Sequence, residues 1–129
     1  MNWDTPYVRE CMHKDSTRYG DGEYCVYFWQ IDITCEVFYV RSGKGYRFND
    51  INPKSRSKEF MEIYNDNKCS PKIVAYGMTK EQSLNFEKRL IKAYWKLDMP
   101  LVNQQWVNCR QKEYIRRANE SRRKTRLGG

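Results

Sequence analysis

The sequence predicts an α/β domain with a small three-stranded antiparallel sheet that is flanked by helices and followed by a basic helical C-terminal tail. Two runs rich in Val, Ile and aromatic residues, at 24–31 and 36–41, lie on either side of a short polar break and are typical of a β-hairpin. A third apolar run at 72–76 supplies the remaining strand, and apolar residues recur at helical spacing at 57–67 and 79–97. A chain of 129 residues, 40% of them hydrophobic, can bury the core of one such domain.

The expected elements divide the chain into three segments. Residues 1–23 show no hydrophobic period and contain turn-forming residues, so we expect an irregular N-terminal arm. Residues 24–109 contain every expected strand and both amphipathic helices. Residues 110–129 carry eight Lys or Arg residues against two acidic ones. We expect this last segment to be a basic tail that either binds an anionic partner or is disordered.

Composition indicates the kind of partner and the cellular compartment. The net charge of +8 and the pI of about 9.3 favour an anionic partner. The sequence contains no apolar run long enough to span a membrane, and its N-terminus lacks the apolar core of a signal peptide. Five scattered cysteines do not resemble a disulfide framework or a zinc site. We therefore expect an intracellular protein, cytoplasmic or, in a eukaryote, nuclear, with reduced thiols and no membrane partner.

The hairpin ends in a loop that can bind an anion. Residues 42–45, Ser-Gly-Lys-Gly, are expected to end the second strand at Arg41 and to form a tight loop before Arg47. Tyr27 and Tyr39 lie on the two adjacent strands. This segment therefore places phenol hydroxyls, a flexible backbone and positive charge close together.

The helix expected at 79–97 contains the clearest anomaly in the sequence. Thr79 and Gln82 have the spacing of a capping box. At about 100° per residue, Glu87 falls in the middle of the apolar stripe of this helix. A carboxylate that faces the core costs several kcal/mol unless it is paired, protonated or bound to a metal. The stripe consists of Leu84, Leu90, Ile91 and Tyr94.

Taken in order, these residues resemble the GIY-YIG nuclease domain. Cys25-Val26-Tyr27 resembles its first motif, and Tyr39-Val40-Arg41 resembles its second, with eleven residues between the two tyrosines. Residues 43–47 are similar to the glycine-lysine loop and arginine of one branch of the family. Glu87, on a helix after the third strand, matches the metal-binding glutamate, and Asn103 matches the asparagine that ends the motif set.

The resemblance implies a divalent-metal-dependent DNA endonuclease that hydrolyses phosphodiester bonds with a tyrosine-assisted water. It gives Tyr27 the role of general base and Tyr39 that of orienting the water. It implies that Arg47 stabilises the transition state and that Asn103 braces the site. Glu87 would be the protein ligand of Mg²⁺, or alternatively Mn²⁺. No small-molecule cofactor is expected.

Basic residues outside the catalytic set are expected to contact DNA phosphates without reading sequence. A homodimer would allow both strands of a duplex to be cut, because one site acts on one strand at a time. The candidate DNA contacts are Arg41, Lys44, Arg116, Arg117, Arg122 and Arg123.

Two departures from the family pattern keep other functions open. Cys25 and Arg41 each replace a motif glycine, and a glycine at 41 would let the backbone approach the site closely. The alternative is therefore a domain of the same fold that binds nucleic acid but is weakened as a catalyst. A basic interaction module unrelated to nucleic acid is a third reading. Glu87 could also be a core glutamate paired with Arg47 or a tyrosine hydroxyl, and the tyrosines could be core residues only.

Overall fold

The computed structural model describes residues 1–103, 116, 117 and 120, and residues 1–103 form an α/β domain around one sheet. In chain order the elements are α1 (Pro6–Glu10), β1 (Met12–Arg18), β2 (Tyr24–Ile31), β3 (Glu36–Lys44), a 3₁₀ segment (Gly45–Asn49), α2 (Lys58–Asp66), β4 (Cys69–Met78) and α3 (Lys80–Lys96).

The sheet has four strands in the order β1-β4-β2-β3 and is mixed. The three strands expected from the sequence are β2, β3 and β4. Strand β2 lies at their centre and pairs antiparallel with both neighbours. Strand β1 adds to the outer side of β4 and runs parallel to it. The expected three-stranded antiparallel sheet is therefore incomplete, because a fourth, parallel strand belongs to it.

The N-terminal segment is part of the folded unit and is not the irregular arm expected from the sequence. Strand β1 is polar and mostly exposed or half-buried, so it has no apolar alternation from which a strand could be predicted. Backbone pairing holds it: the N–H of Ile73 donates to the carbonyl oxygen of Cys11 at 2.7 Å. Trp3 and Val8 are buried in the core, at 1% and 0% exposure. The domain therefore begins before residue 24.

The two long helices each begin directly after a capping residue. The Ser57 hydroxyl accepts the N–H of Phe60 at the start of α2. At the start of α3, Thr79 and Gln82 each accept the backbone N–H of the other, which confirms the capping box. Leu84, however, is 40% exposed and does not join the apolar stripe at the core. None of the described helices is both long and apolar enough to cross a membrane.

Strand β3 runs to Lys44, three residues beyond its expected end. Gly43 continues the ladder opposite Cys25. A Cβ at Gly43 would lie 3.1 Å from the Cβ of Arg47, so the glycine lets the following 3₁₀ segment fold back closely. The chain turns at Gly45, whose φ of 60° is strained for other residues. The tight loop expected at 42–45 is therefore wrong in its bounds, because residues 42–44 continue β3 and only Gly45 turns the chain.

Helices cover both faces of the sheet. One face, here called the α2 face, packs against α1, the 3₁₀ segment and α2, and the other, the α3 face, packs against α3. Successive side chains of β2 alternate between the faces, as the pleat requires. The buried residues of the α2 face include Tyr27, Trp29, Tyr39, Phe48 and Phe60. Those of the α3 face include Val26, Phe28, Val40, Ala75 and Ile91.

Candidate functional site

Two tyrosines on neighbouring strands share one hydrogen-bond donor. Tyr27 on β2 and Tyr39 on β3 are both buried on the α2 face. The Nη1 atom of Arg56 lies 3.4 Å from each hydroxyl oxygen and donates to both. The guanidinium carbon lies 5.9 Å from the ring centre of Tyr27 and 5.3 Å from that of Tyr39. One cation thus contacts the oxygens and the π faces of both tyrosines.

Arg56 is the residue that the sequence does not reveal. It lies in a polar loop, yet it is only 8% exposed. Its Nε atom donates to the carbonyl oxygen of Asp50 at 2.6 Å, and its Nη2 atom donates to that of Arg47 at 3.2 Å. The local signal that could have indicated Arg56 is its position directly before Ser57. Ser57 caps the start of α2, and α2 packs against the sheet.

Burial keeps the Tyr27 phenol neutral. Tyr27 is fully enclosed, and this burial raises its pKa to about 12 although the nearby Arg56 acts in the opposite direction. At neutral pH the hydroxyl is therefore almost entirely protonated. In the free protein, burial therefore outweighs the positive charge of Arg56.

Tyr27, Tyr39 and Arg56 are called the tyrosine cluster here. Arg47 and Lys44 are exposed and are not part of this cluster. Arg47 lies on the 3₁₀ segment, and its carbonyl oxygen, not its guanidinium, faces Arg56. Lys44 ends β3 and forms an ion pair of 3.2 Å with Glu23. Both side chains are accessible to a phosphate. Arg56, rather than Arg47, provides the cation between the tyrosines.

Glu87 is buried, as its position in the apolar stripe predicts. It is 3% exposed, and its Oε2 atom accepts a hydrogen bond of 3.3 Å from the hydroxyl of Ser42. Its Oε1 atom is buried without a hydrogen-bond partner in the described part of the chain. Burial raises the pKa of this carboxyl, while the charge of Arg41 and the hydrogen bonds from Ser42 oppose the rise.

Glu87 and the tyrosine cluster (Tyr27, Tyr39 and Arg56) lie on opposite faces of the sheet, and β3 contributes residues to both. Tyr39 belongs to the α2 face, whereas Ser42 reaches Glu87 on the α3 side. Arg41 stands between these two residues in β3, opposite Tyr27 on β2, and its charge acts on Glu87. No hydrogen bond joins Glu87 to either tyrosine in residues 1–103. A substrate that contacts both the tyrosines and Glu87 would therefore have to extend past residues 41–42 of β3.

The donor atoms at Glu87 suit a magnesium ion held by one carboxylate. Mg²⁺ takes oxygen ligands and commonly keeps several waters while using one or two carboxylates and substrate phosphates. The unpaired Oε1 atom of Glu87 is such an oxygen. Among the described residues there is no cluster of three or more His, Cys, Asp or Glu that could enclose an ion. A cation here would therefore be held by Glu87 together with water and substrate.

Asn103 holds the free edge of β3. Its Oδ1 atom accepts the N–H of Val40 at 3.1 Å, and its Nδ2 atom donates to the carbonyl oxygen of the same residue. Asn103 is 1% exposed, so its amide is fully engaged by this backbone. Asn103 thus braces the backbone of β3 between Tyr39 and Arg41, and its role in a catalytic site stays a prediction.

Little of the basic tail belongs to the described structure. Arg116 and Arg117 are helical and exposed, and Arg116 forms an ion pair of 2.6 Å with Glu120. Arg122 and Arg123 lie outside the described residues. DNA contacts by these four arginines stay predictions.

No protein-family model, curated protein or solved structure matches the chain. The resemblance to the GIY-YIG nucleases accordingly rests on the residues quoted above.

Proposed function

We propose that this chain is a divalent-metal-dependent DNA endonuclease of the GIY-YIG type, which hydrolyses phosphodiester bonds with water. The observation that carries the proposal is Glu87, a buried carboxylate with one oxygen unpaired beside the strand that holds Tyr39. Such a group opposes folding, and groups of this kind concentrate at functional sites. The net charge of +8 supports a polyanionic substrate.

Glu87 would hold the metal through Oε1 while Ser42 orients the carboxylate through Oε2. When bound, Mg²⁺ would neutralise charge on the phosphoryl oxygens and assist the leaving oxygen. Mn²⁺ is the alternative ion, since it takes the same oxygen ligands. No step of the proposal needs a small-molecule cofactor.

The tyrosine cluster supplies the proton acceptor. In its ionised form, Tyr27 would accept a proton from the attacking water, and Tyr39 would orient that water, which requires DNA binding to open the two buried hydroxyls to water. Arg56 stabilises the phenolate because it already donates to both hydroxyls. Arg47 is exposed and binds a phosphate, where its planar guanidinium offsets the charge that develops on the phosphoryl oxygens.

A second function, DNA binding with weakened cleavage, is favoured by one observation. The positive charge of Arg41 acts on Glu87 and therefore competes with a metal ion for the carboxylate. If this competition is decisive, the natural protein binds DNA without cutting it, and Arg41→Gly gains magnesium-dependent cleavage. Cleavage by the natural protein would reject this second function.

The test of the proposed function is cleavage of supercoiled plasmid by the full chain, with magnesium and with a chelator. Nicking or linearisation that requires magnesium is the expected result. DNA that stays intact with both the natural protein and Arg41→Gly would overturn the nuclease proposal. A lack of duplex binding even at low salt, where phosphate contacts are strongest, would also reject the DNA-binding alternative.

A further inference from the structure

An exposed pair of aromatic rings lies beside the tyrosine cluster and has no role in the proposed chemistry. Tyr7 on α1 is 47% exposed, and Tyr46 on the 3₁₀ segment is 49% exposed. Their ring centres are 6.3 Å apart, with the planes tilted by 51°. We call these two residues the aromatic pair.

The aromatic pair packs on a buried residue, Phe48. Both rings contact Phe48, which is fully buried, at centre distances of 6.3 Å for Tyr7 and 6.1 Å for Tyr46. The side-chain amide of Asn49 also donates to the Tyr7 hydroxyl. Because these contacts fix the rings, little side-chain entropy would be lost when a ligand stacks on them.

The aromatic pair is continuous with the candidate site. Phe48, its support, also contacts Tyr27 edge-on, with ring centres 6.4 Å apart. Arg47 follows Tyr46 directly in sequence and is exposed, and Lys44 lies two residues before Tyr46. Exposed aromatic faces and the exposed Arg47 therefore occur together beside the contact between Phe48 and Tyr27.

We propose that the aromatic pair binds an unpaired nucleobase of the DNA, so that the preferred substrate contains a single-stranded segment beside the cut. The inference rests on the proposed function and specifies its substrate class. Aromatic rings beside basic residues are the usual means by which proteins hold single strands, since each base can stack while the phosphates contact the cations. In an intact duplex, the faces of the bases are covered by their neighbours and cannot reach these rings.

Binding of labelled oligothymidylate and of a duplex of equal length tests the inference. The full chain is used at low salt with a chelator, so that no cleavage takes place. We expect tighter binding of the single strand, and we expect Tyr46→Ala and Tyr7→Ala to weaken it about tenfold. Tyr46→Phe should bind as the natural protein does, because the ring is kept, whereas Tyr46→Leu should behave like the alanine variant.

Tyr19→Ala is the matched control. Tyr19 is similarly exposed, at 44%, but it packs edge-on against Phe86 of α3 and so lies away from the aromatic pair. Equal binding of single strand and duplex, or Tyr46→Ala and Tyr46→Leu variants that bind as well as Tyr19→Ala, would overturn the inference. Because binding is measured without metal, the result is independent of the plasmid assay. The binding assay can reject the aromatic pair as a base-binding site while the protein still cleaves plasmid, and it can support that site while the plasmid stays intact.

Discussion

The guanidinium of Arg56 donates to the hydroxyl of Tyr27 across 29 positions of sequence. The same group contacts Tyr39 and two backbone carbonyl oxygens, so one buried cation joins the hairpin to the loop that precedes α2. Arg56 therefore holds the two tyrosines together. In the proposed chemistry Tyr27 is the proton acceptor, and Arg56 is the hydrogen-bond donor that stabilises it.

Replacing Arg56 is expected to impair both stability and cleavage. Arg56→Met removes the side-chain donor to the carbonyl oxygen of Asp50 and one of the two donors to that of Arg47, which should lower the free energy of unfolding by about 2 kcal/mol. Cleavage should fall about 100-fold or more, as for the loss of a charge-stabilising donor. Urea denaturation and plasmid cleavage measure the two effects.

Arg47→Met is the matched variant because Arg47 is exposed. Its stability should change by less than about 0.5 kcal/mol, while its affinity for DNA should decrease. An Arg56→Met protein that is folded and cleaves at the natural rate would exclude Arg56 from the proposed chemistry and leave Arg47 as the arginine that offsets charge on the phosphate.

If Tyr27 is the proposed base, its raised pKa should set the pH dependence of cleavage. In the proposed mechanism the phenolate is the proton acceptor; because its pKa is about 12, the ionised fraction should rise tenfold for each unit by which the pH increases, as long as the pH stays below that value. Single-turnover cleavage rates at saturating magnesium should therefore climb with unit slope between about pH 6 and pH 9. Tyr27→Phe should remove this slope along with most of the activity. A flat profile in the natural protein would exclude Tyr27 as the base.

Glu87→Gln is expected to stabilise the fold at neutral pH. Burial raises the pKa of Glu87 above the value of 4.5 that it has when exposed, so the folded state binds the proton more tightly than the unfolded state. The stability of the natural protein should therefore fall as pH rises from about 4.5 through the folded pKa. Glutamine removes this loss.

Thermal unfolding of Glu87→Gln and the natural protein at two pH values checks the sign. The variant should melt at a higher temperature at pH 7, and the difference should shrink at about pH 4, where both forms are neutral. A variant that is less stable at pH 7 would mean that Glu87 is a paired structural residue.

Asn103→Ala should weaken the edge of β3. The substitution leaves the buried N–H and carbonyl oxygen of Val40 unpaired, which should cost about 2 kcal/mol of unfolding free energy. Asn85→Ala, at an exposed position of α3, should change it by less than about 0.5 kcal/mol. Equal effects in urea denaturation would mean that the Asn103 amide does not hold this strand.

Much of the fold could be predicted because its signals are local. The hairpin shows in two β-rich runs, and α3 shows in a capping box and an apolar stripe, so the burial of Glu87 follows from helix geometry. Strand β1 could not be found this way, because backbone pairing rather than apolar side chains holds it to β4.

Less of the candidate site than of the fold could be predicted from the sequence. Tyr27 and Tyr39 are neighbours because their strands pair, and this follows from the hairpin. Arg56 reaches them only through the closure of the loop before α2, which leaves no periodic signal. The separation of Glu87 from the tyrosines depends on which face of the sheet each element covers, and this was also not predictable from spacing.

The most direct test of the central claim is single-turnover cleavage by Glu87→Gln, with Glu81→Gln as control. Both residues lie on α3, but Glu81 is exposed near its start, so the two substitutions remove the same charge from one helix. The proposed function predicts magnesium-dependent cleavage by the natural protein and by Glu81→Gln, and none by a folded Glu87→Gln protein. Cleavage by Glu87→Gln at the natural rate would contradict the assignment of Glu87 as the metal ligand.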